Sequence, residues 1–228
     1  MGSDPNISLT EQAYTRIEEL IVTLELSPGA PVSEGELCAR TGFGRTPVRE
    51  ALQRLSRQGL INILPRRGMF VTEINVETQL QLLDLRREVE RLMVSSAARR
   101  ASAEERARFR TLAEEMYRAA GADDDAGFMG LDQAFNAMVG AACRNPFARA
   151  SMEQWNPLAR RFWFQHHRNV GDLPRMAALH AAVARAISVG DVDAAARASD
   201  ALINHLAGFT RAALDAGRET IFEGENNG

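Results

Sequence analysis

The chain has 228 residues, 45% of them hydrophobic and 25% charged, and a net charge of −3 at neutral pH. That length suits one large domain or two small ones, and no apolar run approaches the roughly 18 residues of a membrane span. With no signal peptide, and with two cysteines, Cys38 and Cys143, outside any CxxC or zinc-finger spacing, the expectation is a cytoplasmic protein with reduced thiols and no membrane partner.

Tyr14, Ile17, Ile21 and Leu24 recur at the spacing of one buried stripe and predict a first helix over 10–26, stopped by Ser27-Pro28-Gly29. Ser33 and Glu36 have the spacing of a capping box and open a second helix that ends at Gly42. Thr46 and Pro47 predict the start of a third, with the threonine as cap and the proline at the first helical position; Gly59 closes it. Two short runs, 60–64 and 69–74, flank Pro65-Arg66-Arg67-Gly68 and predict a hairpin whose glycine permits the tight turn. From 75 onward the pattern becomes alanine- and leucine-rich, predicting six helices over 76–101, 103–120, 125–143, 146–169, 174–189 and 192–216. Ser102 and Glu105 form another capping box, and Asn156-Pro157 is expected to kink the fourth helix of this set. The expected fold is multidomain α with a small β wing: a winged helix-turn-helix over 1–75 and an all-α bundle over 76–228.

Charge is concentrated where that head should read its target. From Arg40 to Arg67 seven arginines stand against a single acid, Glu50, although the whole chain is acidic. A local positive patch on such a protein points to a specific polyanion, with double-stranded DNA the leading candidate. On the third helix Val48, Leu52 and Leu55 share one face, while Arg45 and Arg49 lie one turn apart near the N-terminus on another. A recognition helix is built this way, because its apolar side must pack on the other helices while its N-terminal side chains reach base edges. Arg66 and Arg67 at the hairpin tip are expected at the backbone or minor groove, and Arg54 and Arg57 at phosphates or in solvent.

The run Gly44-Arg45-Thr46-Pro47-Val48-Arg49-Glu50-Ala51-Leu52, followed by Arg54-Leu55, Gln58-Gly59-Leu60 and Arg67-Gly68, closely resembles the GntR family of bacterial transcription regulators. The resemblance implies DNA contacts at Arg45, Thr46, Arg49 and Gly68. Gly44 and Gly35 depart from the family pattern, so operator preference does not carry over from relatives.

The helical region holds a set of polar residues that three helices could bring together: Asp132 and Asn136 one turn apart, His180 and His205. Oxygen and imidazole donors converging inside a bundle suit a divalent ion, whereas a histidine on an alanine-rich face is also a common hydrogen-bonded core residue. Arg86-Arg87-Glu88-Val89-Glu90, Leu131-Asp132-Gln133-Ala134-Phe135-Asn136 with Arg144-Asn145-Pro146, and His180 and His205-Leu206 resemble the FCD ligand-binding domain of the FadR subfamily in its shorter, VanR-like, six-helix form. One short recognition helix contacts few base pairs, so a homodimer on a pseudo-palindromic operator is expected; the resemblance implies control of a repressor by a small organic acid whose carboxylate meets Arg86 or the metal. It also implies one divalent metal, zinc or nickel, on Asp132, Asn136, His180 and His205, with Asn136 standing where such domains carry a first histidine; the alternative is a polar pocket that recognises the effector directly. For Arg86 the alternative is an ordinary surface pair with Glu90. A competing function, a metal-dependent hydrolase or oxygenase joined to a DNA-binding head, is disfavoured because no Glu-x-x-His pair is present.

Overall fold

The computed structural model describes residues 7–121, 125–170 and 173–225. Its elements run α1 (Leu9–Val22), β1 (Pro31–Val32), α2 (Glu34–Thr41), α3 (Arg45–Arg57), β2 (Ile61–Leu64), β3 (Gly68–Val71), α4 (Val76–Arg100), α5 (Ala103–Gly121), α6 (Asp125–Ala142), α7 (Pro146–Val170), α8 (Leu173–Val189) and α9 (Val192–Glu225). Contacts divide them into two units, the first comprising residues up to Asn75 with Gln154–Gln165, the second Val76–Glu153 with the residues after His166. The expected division at 75 thus omits a segment of α7 that groups with the head.

In the first unit Tyr14, Ile17 and Ile21 of α1 meet Val48, Leu52 and Leu55 of α3 in one core with Leu37, Leu60, Ile61 and Val71. Each of these aliphatic side chains contributes about 1.5–3 kcal/mol through burial. The first helix ends four residues before its expected limit. Leu24 takes a left-handed backbone conformation at φ 62°, and the turn returns Leu26 to the core, where its N–H donates to the Leu20 carbonyl at 2.8 Å. Burial of Leu26 wins over one more helical turn.

Ser33 caps α2 by accepting from the Glu36 N–H, and Gly42 ends it in the left-handed conformation. The third helix starts two residues earlier than expected: its cap is Gly44, without a side-chain bond, and Pro47 is the third helical residue. Proline is harmless there because the first-turn N–H groups have no partner inside the helix. The wing is a three-stranded antiparallel sheet in the order β1-β3-β2, with Val32 opposite Met69 and Leu64 opposite Gly68. Two-residue β1 carries no periodic signal and escaped the sequence reading. At the tip Arg66 at φ 63° follows Pro65, and the Arg67 N–H donates to the Leu64 carbonyl, the pattern of a type II turn. Gly68, at φ 102°, continues the bend.

The segment 154–165 is tied to the head by Leu158, which packs on the core, and by two arginines. Arg160 Nη1 donates to Glu18 Oε1 at 2.9 Å with both side chains nearly buried, and Arg161 donates to the Thr72 carbonyl and hydroxyl and to the Glu73 carbonyl. Burial lowers Arg161 to about 10, so it keeps its charge at neutral pH. The helix continues through Pro157.

In the second unit α4, α5, α8 and α9 pack on one another and α6 lies against α4, α5 and α8. Ser102 and Glu105 form the full reciprocal capping box, and Asn145 caps α7 ahead of Pro146. The Arg106 guanidinium binds the carbonyls of Ala98 and Ala101, at the end of α4, and that of Ile187, near the end of α8. It supplies donors to helix ends whose carbonyls lack intrahelical partners.

The Glu18–Arg160 pair generates a test. Burial raises the Glu18 carboxyl above its ordinary value, and Arg160 pulls it back. Removing the cation alone strands a buried charge, so Arg160→Ala should cost about 3–5 kcal/mol at neutral pH, and Glu18→Gln much less. A carboxyl whose folded-state pKa lies above its unfolded value contributes stability at low pH that is lost as pH rises through the folded pKa. The deficit of Arg160→Ala should therefore shrink toward about pH 4.5, near the unfolded carboxyl value. Both tryptophans, Trp155 and Trp163, lie in the segment that belongs to the head, so urea denaturation followed by their fluorescence reports on this unit. A deficit independent of pH would refute the assignment.

Candidate functional site

The core contacts of α3 decide what the helix presents outward. With Val48, Ala51, Leu52 and Leu55 buried, Arg45, Thr46 and Arg49 are left exposed at its N-terminal end. Arg66, Arg67 and Gly68 are exposed at the wing tip. All six predicted DNA contacts therefore lie on the surface of one unit. Arg49 is not a loose cation: its Nε donates to Glu34 Oε1 at 2.8 Å and its Nη2 to Glu34 Oε2 at 2.9 Å. Arg49 holds the Glu34 carboxyl below its ordinary range, chiefly through this bond, and Arg45 adds to the effect. Sequence reasoning missed Glu34, which lies 15 residues away on another helix.

Two other charged residues of α3 are engaged by α1. Arg54 stacks over the Tyr14 ring at 3.6 Å and pairs with Glu11 at 2.7 Å, so it braces α1 against α3 while its side chain stays partly open to solvent. Glu50 accepts from the Thr10 hydroxyl at 2.6 Å. Its charge is thereby directed toward α1.

The second unit holds a buried polar cluster. His180 Nε2 lies 3.0 Å from Asp132 Oδ1, and its Nδ1 lies 2.9 Å from the Met176 carbonyl one turn back on α8. Burial opposes charge on this ring, but the bond and charge of Asp132, the Met176 carbonyl and the Glu90 charge together raise its pKa above the ordinary value. Phe128 and Phe135 set their rings edge-on to the imidazole, each with centroids 5.6 Å away. Phe128, Asp132 and Phe135 are spaced by four and three residues on α6, a signal the sequence contained. Asn136 Nδ2 donates to the Asp132 carbonyl and to Asp132 Oδ1, at 2.9 and 3.2 Å.

Three of the four proposed ligands thus meet. The fourth, His205, sits on α9 with its Nε2 buried, and among the described residues no three His, Cys, Asp or Glu side chains gather as a metal-holding group. In this arrangement Asp132 is bonded by both His180 and Asn136. To hold an ion, His180 would have to present an unprotonated Nε2 and Asn136 would have to turn its amide oxygen toward the site. The bond from Nδ1 to a backbone carbonyl leaves Nε2 as the nitrogen available for ligation, the usual orientation of a ligating histidine.

Arg86 is buried on α4 and its Nε donates to Glu90 Oε1 at 2.6 Å, with Glu90 buried as well. The i,i+4 pair weighed in the sequence does form, but in the interior and not on the surface. Ion pairs in low dielectric repay their desolvation poorly, so an interior Arg–Glu pair is weak as a stabilising device.

A winged helix-turn-helix with cations at the head of its recognition helix, followed by an all-α unit, defines a DNA-binding regulator of modular build. The FCD domain family matches residues 81–205, and the bacterial regulatory proteins of the gntR family match residues 9–71. The chain belongs to the GntR family of transcription regulators, with an FCD domain following the DNA-binding head. It is 45% identical over 62 residues to an uncharacterized HTH-type transcriptional regulator in an unstable DNA locus of Streptomyces ambofaciens, covering 27% of this chain and 26% of that protein. Over 73 residues it is 38% identical to the HTH-type transcriptional repressor RspR of Escherichia coli K12, 32% of each chain. These alignments span a quarter to a third of the relatives' length. Among solved structures, E. coli McbR/YncC superposes with a TM-score of 0.77 at 20% identity over 90% of this chain and 98% of that one, which shows a shared fold. Among the described residues no helix is long and apolar enough to cross a membrane.

Proposed function

We propose that the protein is a homodimeric repressor that reads a pseudo-palindromic operator and is released from it by a small organic acid bound in the helical unit. Base reading falls to Arg45, Thr46 and Arg49, the exposed residues of the first turns of α3, while Arg66, Arg67 and Gly68 follow the backbone or minor groove. One short recognition helix contacts few base pairs, and two-fold pairing doubles the site. The observation that carries effector control is the buried charge in the bundle, Arg86 with Glu90 and His180 with Asp132. Such groups are costly as core and useful as a ligand cradle. A guanidinium has five N–H groups, and a carboxylate effector would share or displace Glu90 on Arg86.

A second reading, one divalent ion on Asp132, Asn136, His180 and His205, is favoured by the Nδ1 contact of His180 alone. Zinc or nickel would there supply a Lewis-acidic anchor for the effector's carboxylate.

Three measurements bear on these readings. Selection of duplexes from a randomised pool should recover inverted half-sites. On the recovered operator Arg45→Ala and Arg49→Ala should each lose about 5- to 100-fold in discrimination over scrambled DNA, the equivalent of about 1–3 kcal/mol, whereas Arg57→Ala weakens both alike. Unchanged discrimination in the first two would remove the base-reading assignment. For the effector, a panel of small mono- and dicarboxylates at saturating concentration should raise the thermal midpoint by about 3–8 °C and weaken operator binding. Arg86→Ala should abolish both effects, and a panel without any shift would exclude an organic acid. For the ion, Asn136→His should tighten zinc or nickel binding and His180→Ala should abolish it, because imidazole suits these ions better than an amide oxygen. If the native protein carries no metal after mild chelation and Asn136→His gains none, the cluster serves the effector directly.

A further inference from the structure

The pairing of Glu34 with Arg49 is unusual in its placement. Glu34 is the first residue of α2, and Arg49 is the fifth of α3, so the bond joins the two helices of the reading head at the surface that faces the target. Both carboxylate oxygens are used, one by Nε and one by Nη2. This side-on fork leaves the outer edge of the guanidinium, Nη1 with the second hydrogen of Nη2, pointing away from the carboxylate. That edge presents two parallel N–H groups and can bridge O6 and N7 of a guanine. The side chains remain exposed, 59% for Arg49 and 30% for Glu34, so the fork is held at the surface and not as core.

Burial does not explain this contact, and an exposed pair contributes little to stability. A carboxylate on a DNA-facing surface also repels phosphates. Its cost is offset if the carboxylate fixes a long, flexible side chain in the geometry that reads a base. Arg45 reinforces the point, since its charge also bears on the Glu34 carboxyl, and without that acid two arginines one turn apart would repel each other. Beside Glu34, Gly35 has no side chain, and a Cβ built there would meet nothing within 4 Å. No side chain from position 35 competes for the fork.

We infer that Glu34 is a positioning residue for sequence recognition, holding the Arg49 guanidinium side-on so that its free edge meets guanine. The inference rests on the assignment of Arg49 to base reading. Glu34 thereby exchanges general affinity for discrimination: it lowers attraction to any duplex and raises the preference for the correct base pair.

The test uses the full chain and the operator recovered by selection, with a set of duplexes carrying every single base-pair substitution and one scrambled duplex. Glu34→Ala should reduce discrimination about 10-fold at the base pair where Arg49→Ala reduces it, and nowhere else. Its affinity for scrambled DNA should be unchanged or higher, with a salt dependence no shallower than that of the parent. Glu34→Gln, which keeps one oxygen acceptor, should fall between Glu34→Ala and the parent. The double variant with Arg49→Ala should lose no more at that base pair than Arg49→Ala alone. A merely structural role would lower specific and scrambled binding together, and that outcome overturns the inference. Loss at a base pair that Arg49→Ala leaves untouched, persisting in the double variant, would mean that Glu34 contacts a base itself and also overturns it. If Arg49→Ala keeps full discrimination, the assignment of Arg49 fails first, and this is seen independently of any Glu34 variant.

Discussion

The burial of one face of α3 against α1 is the constraint on which the reading head depends. Val48, Leu52 and Leu55 have no accessible alternative to the core, and their spacing rotates the helix until Arg45, Thr46 and Arg49 point outward. Apolar packing thus orients polar chemistry without touching it. Arg54, on the same helix, shows the limit of charge as a guide: the orientation set by the core carries it over the Tyr14 ring and onto Glu11, so it serves the fold. Seven arginines give the segment its polarity, but packing decides which of them remain available.

The helical unit applies the opposite logic. Its apolar residues fill the interior in the ordinary way, and among them lie an arginine, two carboxylates and a histidine arranged as two hydrogen-bonded pairs. Charges of this kind compensate one another when both partners are present, and become costly when one is lost. The same property suits them to a ligand, since an incoming anion or cation can take the place of one partner with little net change in buried charge. Aromatic edges around His180 exclude water from the pair and strengthen its attraction. Arg106 and the capping residues around it secure the helix ends by supplying donors to carbonyls that would otherwise lack them.

Much of this architecture was legible in the sequence because it is local. Caps at Ser33 and Ser102, the left-handed stop at Gly42, the turn of the wing and the starts of the six long helices are all governed by residues within a few positions of one another. The helix-turn-helix followed from the apolar stripe, and the exposed arginines at the start of α3 followed from what that stripe leaves over. Where local signals compete with packing the reading failed, as at Leu24, where burial of Leu26 ends α1 early, and at β1, whose two residues become a strand only because β3 lies beside them.

The sequence by itself determined the class of the fold, the order of its elements and the residue types on the recognition surface, since periodicity and capping act over one or two helical turns. Tertiary structure alone decided who pairs with whom. Glu34 reaches Arg49 across the helix turn, Arg160 reaches Glu18 over a separation of 142 residues, and Asp132 meets His180 from another helix. Charge pairs across such separations leave no periodic trace, because the chain between the partners is free to vary while folding alone brings them within hydrogen-bond distance.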